Sequence, residues 1–254
     1  RVPMLSTEKA YKKEKLRAFV VRVEKAAAEL GIKKVSFRVT PKLDGMAGKD
    51  EGGILASRGN GLVGVNITHV FKRGIIPIGG RGQGPGELVM VQSYFEREFT
   101  ADFDHPRNMI VGIVNADTLS SFAKKALNDN KVHFVPYNTL ANWNGSGKDL
   151  IDKIDQITAD LAGKVDYPLD GMVAEATNEK LKNYMGATTH HHRWQIAIKT
   201  KGETAETIVE SIGWQTGKTG RITPVLRVKP VEVSGATISN ITAHHAGMVR
   251  DRKL

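Results

Sequence analysis

Lys34-Val35-Ser36-Phe37-Arg38-Val39-Thr40, followed by Pro41-Lys42-Leu43-Asp44-Gly45, decides the reading of this chain. The first seven residues alternate apolar and polar side chains and are rich in β-branched types, the pattern of a half-buried strand. Thr40-Pro41-Lys42-Leu43-Asp44-Gly45 then sets a lysine at the end of that strand, ahead of an acid and a glycine turn. A lysine amine, ordinarily protonated up to about pH 10.4, attacks an electrophile only where burial or nearby cations favour its neutral form. A lysine in a surface turn has the same local sequence, so the weight of this run depends on what lies around it.

Upstream, Thr7 to Leu30 predicts a helix. Tyr11, Leu16, Phe19, Val20, Val23, Ala27 and Leu30 recur at three-to-four spacing opposite a lysine- and arginine-rich face, and Gly31 supplies a stop. Downstream, short strands are expected at 53–58, 87–92, 132–136, 172–176 and 194–200, and helices at 117–129 and 150–161. The glycine-rich run 79–86 reads as a loop. After a boundary expected near 201–204, helical patterns vanish. Short alternating runs cut by Gly213, Gly217, Gly220, Pro224, Pro230 and Gly235 predict a small all-β module.

The whole chain has 254 residues, 37 Lys+Arg against 27 Asp+Glu, a net charge of +10 and a pI near 9.7. Such a balance favours a polyanionic partner. Residues 201–254 hold 8 of the basic and 5 of the acidic side chains, so the terminal module is only mildly cationic. With no cysteine, disulfides, thiolate nucleophiles and Cys-ligated zinc are excluded. No stretch approaches the roughly 18 apolar residues of a membrane span. Arg1 in place of a starting Met is consistent with numbering that begins inside a longer gene product.

Three tempting motifs fail on context. Gly59-Asn60-Gly61-Leu62-Val63-Gly64 fits G-x-G-x-x-G, but a β-rich run follows it and no ribose-binding acid lies about 20 residues on. Gly213 to Thr219 resembles a phosphate loop with three intervening residues where four are needed, and reads as a hairpin. His190-His191-His192 points alternate rings to opposite faces of an extended chain, which suits a polar loop or a phosphate-facing patch better than one metal ion.

The informative followers of Lys42 come in order: Ser57-Arg58-Gly59-Asn60-Gly61, Gly86-Glu87, Pro106-Arg107-Asn108, Tyr167-Pro168-Leu169-Asp170-Gly171-Met172-Val173, and Arg193-Trp194-Gln195-Ile196-Ala197-Ile198-Lys199. With this series the chain resembles the NAD-dependent DNA ligases of bacteria and some phages. Val2 to Ser6 is similar to the segment leading into their nucleotidyltransferase domain. Trp214 to Val225 and Val231 to Ser239 are similar to the start of their OB domain, so the resemblance covers almost the whole chain.

The resemblance implies an α+β, ATP-grasp-like nucleotidyltransferase domain of antiparallel sheets over residues 1–200. A partial OB-like module over 201–254 would follow. It implies that Lys42 attacks the α-phosphate of NAD and holds AMP as a phosphoramidate, which passes to the 5′-phosphate of nicked duplex DNA. Asp44 would contact ribose or position the reacting groups, and Lys199 would neutralise the α-phosphate. Ser6, Thr7, Thr40, Arg58, Glu87 and Glu175 would bind the nucleotide. Asp170, with Glu87, would place Mg2+, and Arg107 would contact phosphate or DNA backbone.

Three positions depart from the family. Thr40 replaces a base-reading Glu, Glu175 a Lys, and Asn115 an Arg; Glu175 could take over the adenine contact that Thr40 cannot make. The family's nicotinamide-capturing module would lie upstream of Arg1, and its zinc finger, helix-hairpin-helix and BRCT segments downstream of Leu254. A fragment, an enzyme split with a second polypeptide, and a minimal relative all remain open. This chain alone is therefore expected to react poorly with free NAD and to bind duplex only weakly. Two competing functions stand beside the ligase: an RNA-end or cap enzyme, and a degenerate subunit that binds without catalysis. A cytoplasmic location, bacterial or in a phage host, goes with the ligase reading.

Overall fold

The computed structural model describes residues 4–199, 205–217, 220–233 and 236–253. The chain divides into two compact units, Arg1–Thr200 and Lys201–Leu254. Val2-Pro3, the expected boundary at 201–204, Lys218-Thr219 and Ser234-Gly235 lie outside the described residues.

The first unit is built on two five-stranded sheets. One has the order β1 (Ser6–Ala10), β10 (His191–Ile198), β9 (Leu169–Ala176), β2 (Phe37–Leu43), β8 (Trp143–Gly145). The other runs β4 (Ile54–Ser57), β3 (Met46–Glu51), β6 (Gly84–Met90), β7 (Val132–Pro136), β5 (Ile76–Pro77). Both are mainly antiparallel, but β1 pairs with β10 and β5 with β7 in parallel. The expected antiparallel sheets are thus present, with parallel pairing confined to these edges.

Helices cover one face of each sheet. On the first, α1 (Lys13–Glu29) and α5 (Gly147–Ala162) pack Phe19, Val23, Leu150 and Ile154 against Phe37, Val39, Ala174 and Ile196. On the second, α2 (Gln92–Glu98), α3 (Pro106–Asn115) and α4 (Ser121–Asn128) pack Phe95, Ile110, Ile113 and Leu127 against Leu55, Leu88 and Phe134. Leu43, Val89, Val135 and Leu140 form a smaller apolar cluster of their own.

The amphipathic pattern of α1 is real, but the chain does not become helical at Thr7. Residues 6–10 are β1, docked on β10, and the helix starts at Lys13. Its end follows the predicted stop: Gly31 takes φ +71°, its N–H donates to Ala28, and the N–H of Ile32 donates to Ala27. That is a Schellman motif, open to glycine because it has no Cβ. The strand read as 34–40 is displaced to Phe37–Leu43, so Lys42 lies within it. The glycine run 79–86 is loop only in its first half, since Gly84, Pro85 and Gly86 open β6. Helices α2 and α6 (Glu179–Met185) are too short to show a clear period, whereas α3 buries Pro106, Met109, Ile110, Ile113 and Val114 at helical spacing and was not expected from the sequence reading.

Gly45 matters by proximity rather than by turn geometry. Between Leu43 and Met46 the chain leaves the first sheet and enters the second, and a Cβ on Gly45 would collide with the Leu88 carbonyl. Lys42 therefore sits where the polypeptide crosses between sheets.

In the second unit β11 (Val209–Thr216), β12 (Ile222–Val233) and β13 (Ala236–Thr242) form one antiparallel sheet. Leu226, Val228 and Ala243 form its core. Gly213 to Thr216 pair with Val225 to Ile222 as one arm of the expected hairpin, while Lys218-Thr219 lie outside the described residues. The expectation that no helix follows residue 205 is wrong at the end of the chain, where α7 (Ala246–Asp251) packs Met248 and Val249 on the sheet. Among the described residues no helix is long and apolar enough to cross a membrane.

Candidate active site

Side-chain alternation builds the site. Along β2 the residues Phe37, Val39, Pro41 and Leu43 are buried, which turns Arg38, Thr40 and Lys42 to the opposite face. On β9, Met172, Ala174 and Ala176 are buried, and Val173 and Glu175 share the face of Thr40 and Lys42. These residues line a cavity of about 840 Å³ whose other walls include Lys49 of β3, Glu87 of β6, Tyr137 and Trp194.

Ser6, Thr7, Thr40, Lys42, Arg58, Glu87, Asp170, Glu175 and Lys199 all line this cavity. Nine residues from six separate stretches of sequence are thus brought together. Asp44 and Arg107 do not line it. They pair with each other, Arg107 Nη1 lying 2.7 Å from Asp44 Oδ1. Asn115 ends α3 and is likewise not among the lining residues.

The most ordered part is a carboxylate held by two lysines. Asp170 Oδ2 accepts from Lys42 Nζ at 2.8 Å and from Lys199 Nζ at 2.6 Å, and Oδ1 accepts from Lys199 at 2.8 Å. Burial would raise the Asp170 carboxyl, but the hydrogen bonds and charges of Lys199 and Lys42 outweigh it and hold it below the usual value. Gly171 keeps φ +113°, and a Cβ there would strike the Ile198 carbonyl, so the Asp-Gly pair is required where β9 and β10 run closest.

Glu87 behaves in the opposite way. It is 8% exposed, and burial pushes its carboxyl up to about 7 against the Tyr137 hydrogen bond, the Lys42 charge and the Gly45 N–H. The Tyr137 hydroxyl donates to Glu87 Oε2, and burial next to that carboxyl raises the phenol well above its usual value. A raised acid favours folding below its unfolded value near 4.5 and loses that contribution as pH rises through about 7. Glu87→Gln has no charge to bury. In the metal-free protein its stability relative to the parent is expected to rise by about 3 kcal/mol between pH 4.5 and pH 8. Urea unfolding of both proteins at the two pH values measures this; a constant difference removes the account.

At the far end of β2 and β9, Arg38 Nη1 and Lys182 Nζ each stand 4.0 Å from Glu175 Oε1. Lys182 also lies 4.7 Å over the Trp194 ring, whose other neighbour is the stacked ring of His192. Of the three consecutive histidines, His192 faces the cavity, while His191 engages Thr188. Arg38 and Tyr137 were given no role by sequence; Trp194 stood only within its motif run, and His192 only in a histidine run read as a polar loop or phosphate-facing patch. The period-two face shared with Lys42 marks Arg38, but nothing local marks Tyr137.

Magnesium is the metal that the resemblance implies. Among the described residues no three His, Asp or Glu side chains cluster as metal ligands. That is compatible with magnesium, which is commonly held by one or two carboxylates plus substrate phosphates. Asp170 and Glu87 supply hard oxygens on the cavity wall, and a cation beside Glu87 would favour its ionised form.

The first unit is thus a two-sheet α+β domain with a lysine-bearing cavity, and a small antiparallel β unit follows it. The family model for the NAD-dependent DNA ligase adenylation domain matches residues 1–83, and that for the NAD-dependent DNA ligase OB-fold domain matches 206–254. The chain is also similar to bacterial proteins named DNA ligase. The one from Desulfatibacillum aliphaticivorans is 57% identical over 250 residues, 98% of this chain and 40% of that protein. Those from Desulfotalea psychrophila and Psychromonas ingrahamii are 44% and 42% identical, over 98% and 97% of this chain and 37% and 39% of theirs. The chain belongs to the NAD-dependent DNA ligase family. It spans about 40% of the length of the curated relatives it matches.

Proposed function

We propose that this chain is the nucleotide-handling core of an NAD-dependent DNA ligase. Lys42 attacks the α-phosphorus of NAD, forming a P–N bond as the bond to nicotinamide mononucleotide breaks and the amine gives up a proton. AMP then passes to the 5′-phosphate of a nick, and the 3′-hydroxyl displaces it. The observation that carries the reading is the Lys42–Asp170–Lys199 cluster on the cavity wall. One lysine supplies the nucleophile, and the other remains as a cation against charge developing on phosphate oxygens.

The remaining cavity-lining residues take the roles the resemblance implies. Arg58 and Glu87 would meet the phosphate and sugar. Ser6, Thr7, Thr40 and Glu175 would meet the rest of the nucleoside, with Trp194 offering an aromatic surface. Glu175 accepts hydrogen bonds, which suits the exocyclic amine of adenine. Bound Mg2+, held by Asp170 and Glu87, would supply positive charge against the phosphate oxygens. Arg107 would reach DNA or phosphate from outside the cavity. A cytoplasmic location accords with this chemistry. The rest of a ligase, in the same or a second polypeptide, would complete the reaction on DNA.

Intact mass after incubation with Mg2+ and either NAD or ATP tests this. A slow gain of one AMP on Lys42 with NAD is expected from this chain alone, and a faster one once the nicotinamide-capturing module is supplied; no gain with either donor overturns the reading. Nicked duplex should bind weakly and without sequence preference, more tightly at about 50 mM salt than at 200 mM, because backbone contacts release counterions. No measurable binding at the lower salt would confine this chain to nucleotide chemistry.

A further inference from the structure

Outside the cavity wall, one histidine touches two of the groups the reaction needs. His105 is the N-cap of α3, and its Nδ1 accepts from the Arg107 N–H at 3.1 Å. Its Nε2 lies 3.4 Å from Asp44 Oδ2, while Arg107 Nη1 holds Asp44 Oδ1 at 2.7 Å. The Asp44 N–H donates to the Pro168 carbonyl at 2.8 Å, two residues before Asp170. Asp44 is therefore fixed by its backbone to the Asp170 segment and by its carboxylate to the start of α3. Burial lowers the His105 imidazole, with Asp44 opposing this and Arg107 adding to it. A neutral ring that accepts at Nδ1 carries its proton on Nε2, the nitrogen facing Asp44.

The geometry points to His105 as a positioning residue that orients Asp44, two residues from the nucleophile, and at the same time seats Arg107. This deepens the proposed ligase reading and rests on it. A cap alone would not require an imidazole, since Asn, Asp or Ser caps a helix as well with fewer atoms. The ring is long enough to serve both partners, and each function can be removed separately. In His105→Asn the amide oxygen stands near the place of Nδ1 and keeps the cap, but the side chain stops short of Asp44. In His105→Gln the amide nitrogen stands near the place of Nε2 and reaches Asp44, but the cap is poor.

The test measures lysyl-AMP formation by intact mass over time, with saturating NAD and Mg2+, together with thermal unfolding of the same full chains. His105→Asn should unfold close to the parent yet adenylate about tenfold more slowly, since small displacements of reacting groups cost that much or more. His105→Gln should be less stable but faster than His105→Asn. This crossed order distinguishes positioning from a structural cap, which would rank both properties alike. Rates that follow stability, or a His105→Asn rate equal to the parent, overturn the inference. A parent that gains no AMP while folded overturns instead the ligase reading beneath it.

Discussion

Lys42→Ala is expected to abolish AMP attachment altogether while leaving a folded protein. The amine sits at the crossing from β2 to β3, hydrogen-bonded to Asp170, and its removal takes away the nitrogen proposed to form the phosphoramidate, leaving Lys199 as a charge-neutralising cation. The fold has little stake in it. Lys42 is partly exposed, Asp170 keeps both bonds to Lys199, and loss of a partly solvated ion pair costs about 1 kcal/mol or less. Intact mass and circular dichroism on the same sample read both halves. AMP labelling in the folded variant would assign the nucleophile elsewhere. Lys42→Arg separates chemistry from charge, because a guanidinium retains the cation and is not deprotonated in proteins; it should be equally unlabelled.

The largest loss of stability is expected from Asp50→Ala. Asp50 is fully buried on β3 and accepts from Arg81 Nε at 2.7 Å, Arg81 Nη2 at 2.8 Å and the Gly82 N–H at 2.7 Å. Arg81 in turn lies 4.0 Å over the Phe71 ring. Removing the carboxylate leaves the Gly82 N–H without its acceptor and Arg81 with only the Gly53 carbonyl and solvent, which costs about 2 kcal/mol or more. It also releases the glycine loop that leads into Gly84 and Pro85 on the cavity wall. Burial would raise the Asp50 carboxyl, but Arg81 and Gly82 outweigh it and hold it below its usual value. A depressed acid stabilises the fold above its unfolded value near 3.8, and that contribution disappears as pH falls through the lower folded value. Denaturant unfolding at pH 7 and at pH 3 should therefore find the gap between parent and variant narrowing in acid. A change below about 1 kcal/mol at pH 7 would mean that the pair contributes specificity rather than stability.

How far the site was legible depended on whether its signal was local. Lys42, Arg58, Glu87, Asp170 and Lys199 each sit in a short run of recognisable type, and the order of those runs was enough to expect them in one pocket. Thr7 illustrates the opposite case. Its neighbourhood extends the helical period of α1 backward, yet it belongs to β1, because β10 offers an unpaired edge that local propensity cannot register. Displacement of the first strand to Phe37–Leu43 has the same cause: pairing with Leu169 to Ala176 sets its ends. The short terminal helix α7 was hidden because two turns give too few residues for a period.

By itself the sequence determined what repeats or neighbours along the chain: the buried stripe of α1, the alternation along 34–40 that sets Arg38 and Thr40 on one face, the hairpin after Trp214, and the net cationic charge. Tertiary structure alone decided what depends on residues far apart in sequence. Asp170 is shared between Lys42 and Lys199, Tyr137 holds a Glu87 that burial keeps near half-protonated at neutral pH, and Asp44 is gripped by Arg107 and His105 rather than turned into the cavity. The physical reason is that a strand's period or a helix's stripe depends on backbone geometry within a few residues. A carboxylate's charge and orientation depend instead on how much water folding removes and which distant cation it brings near.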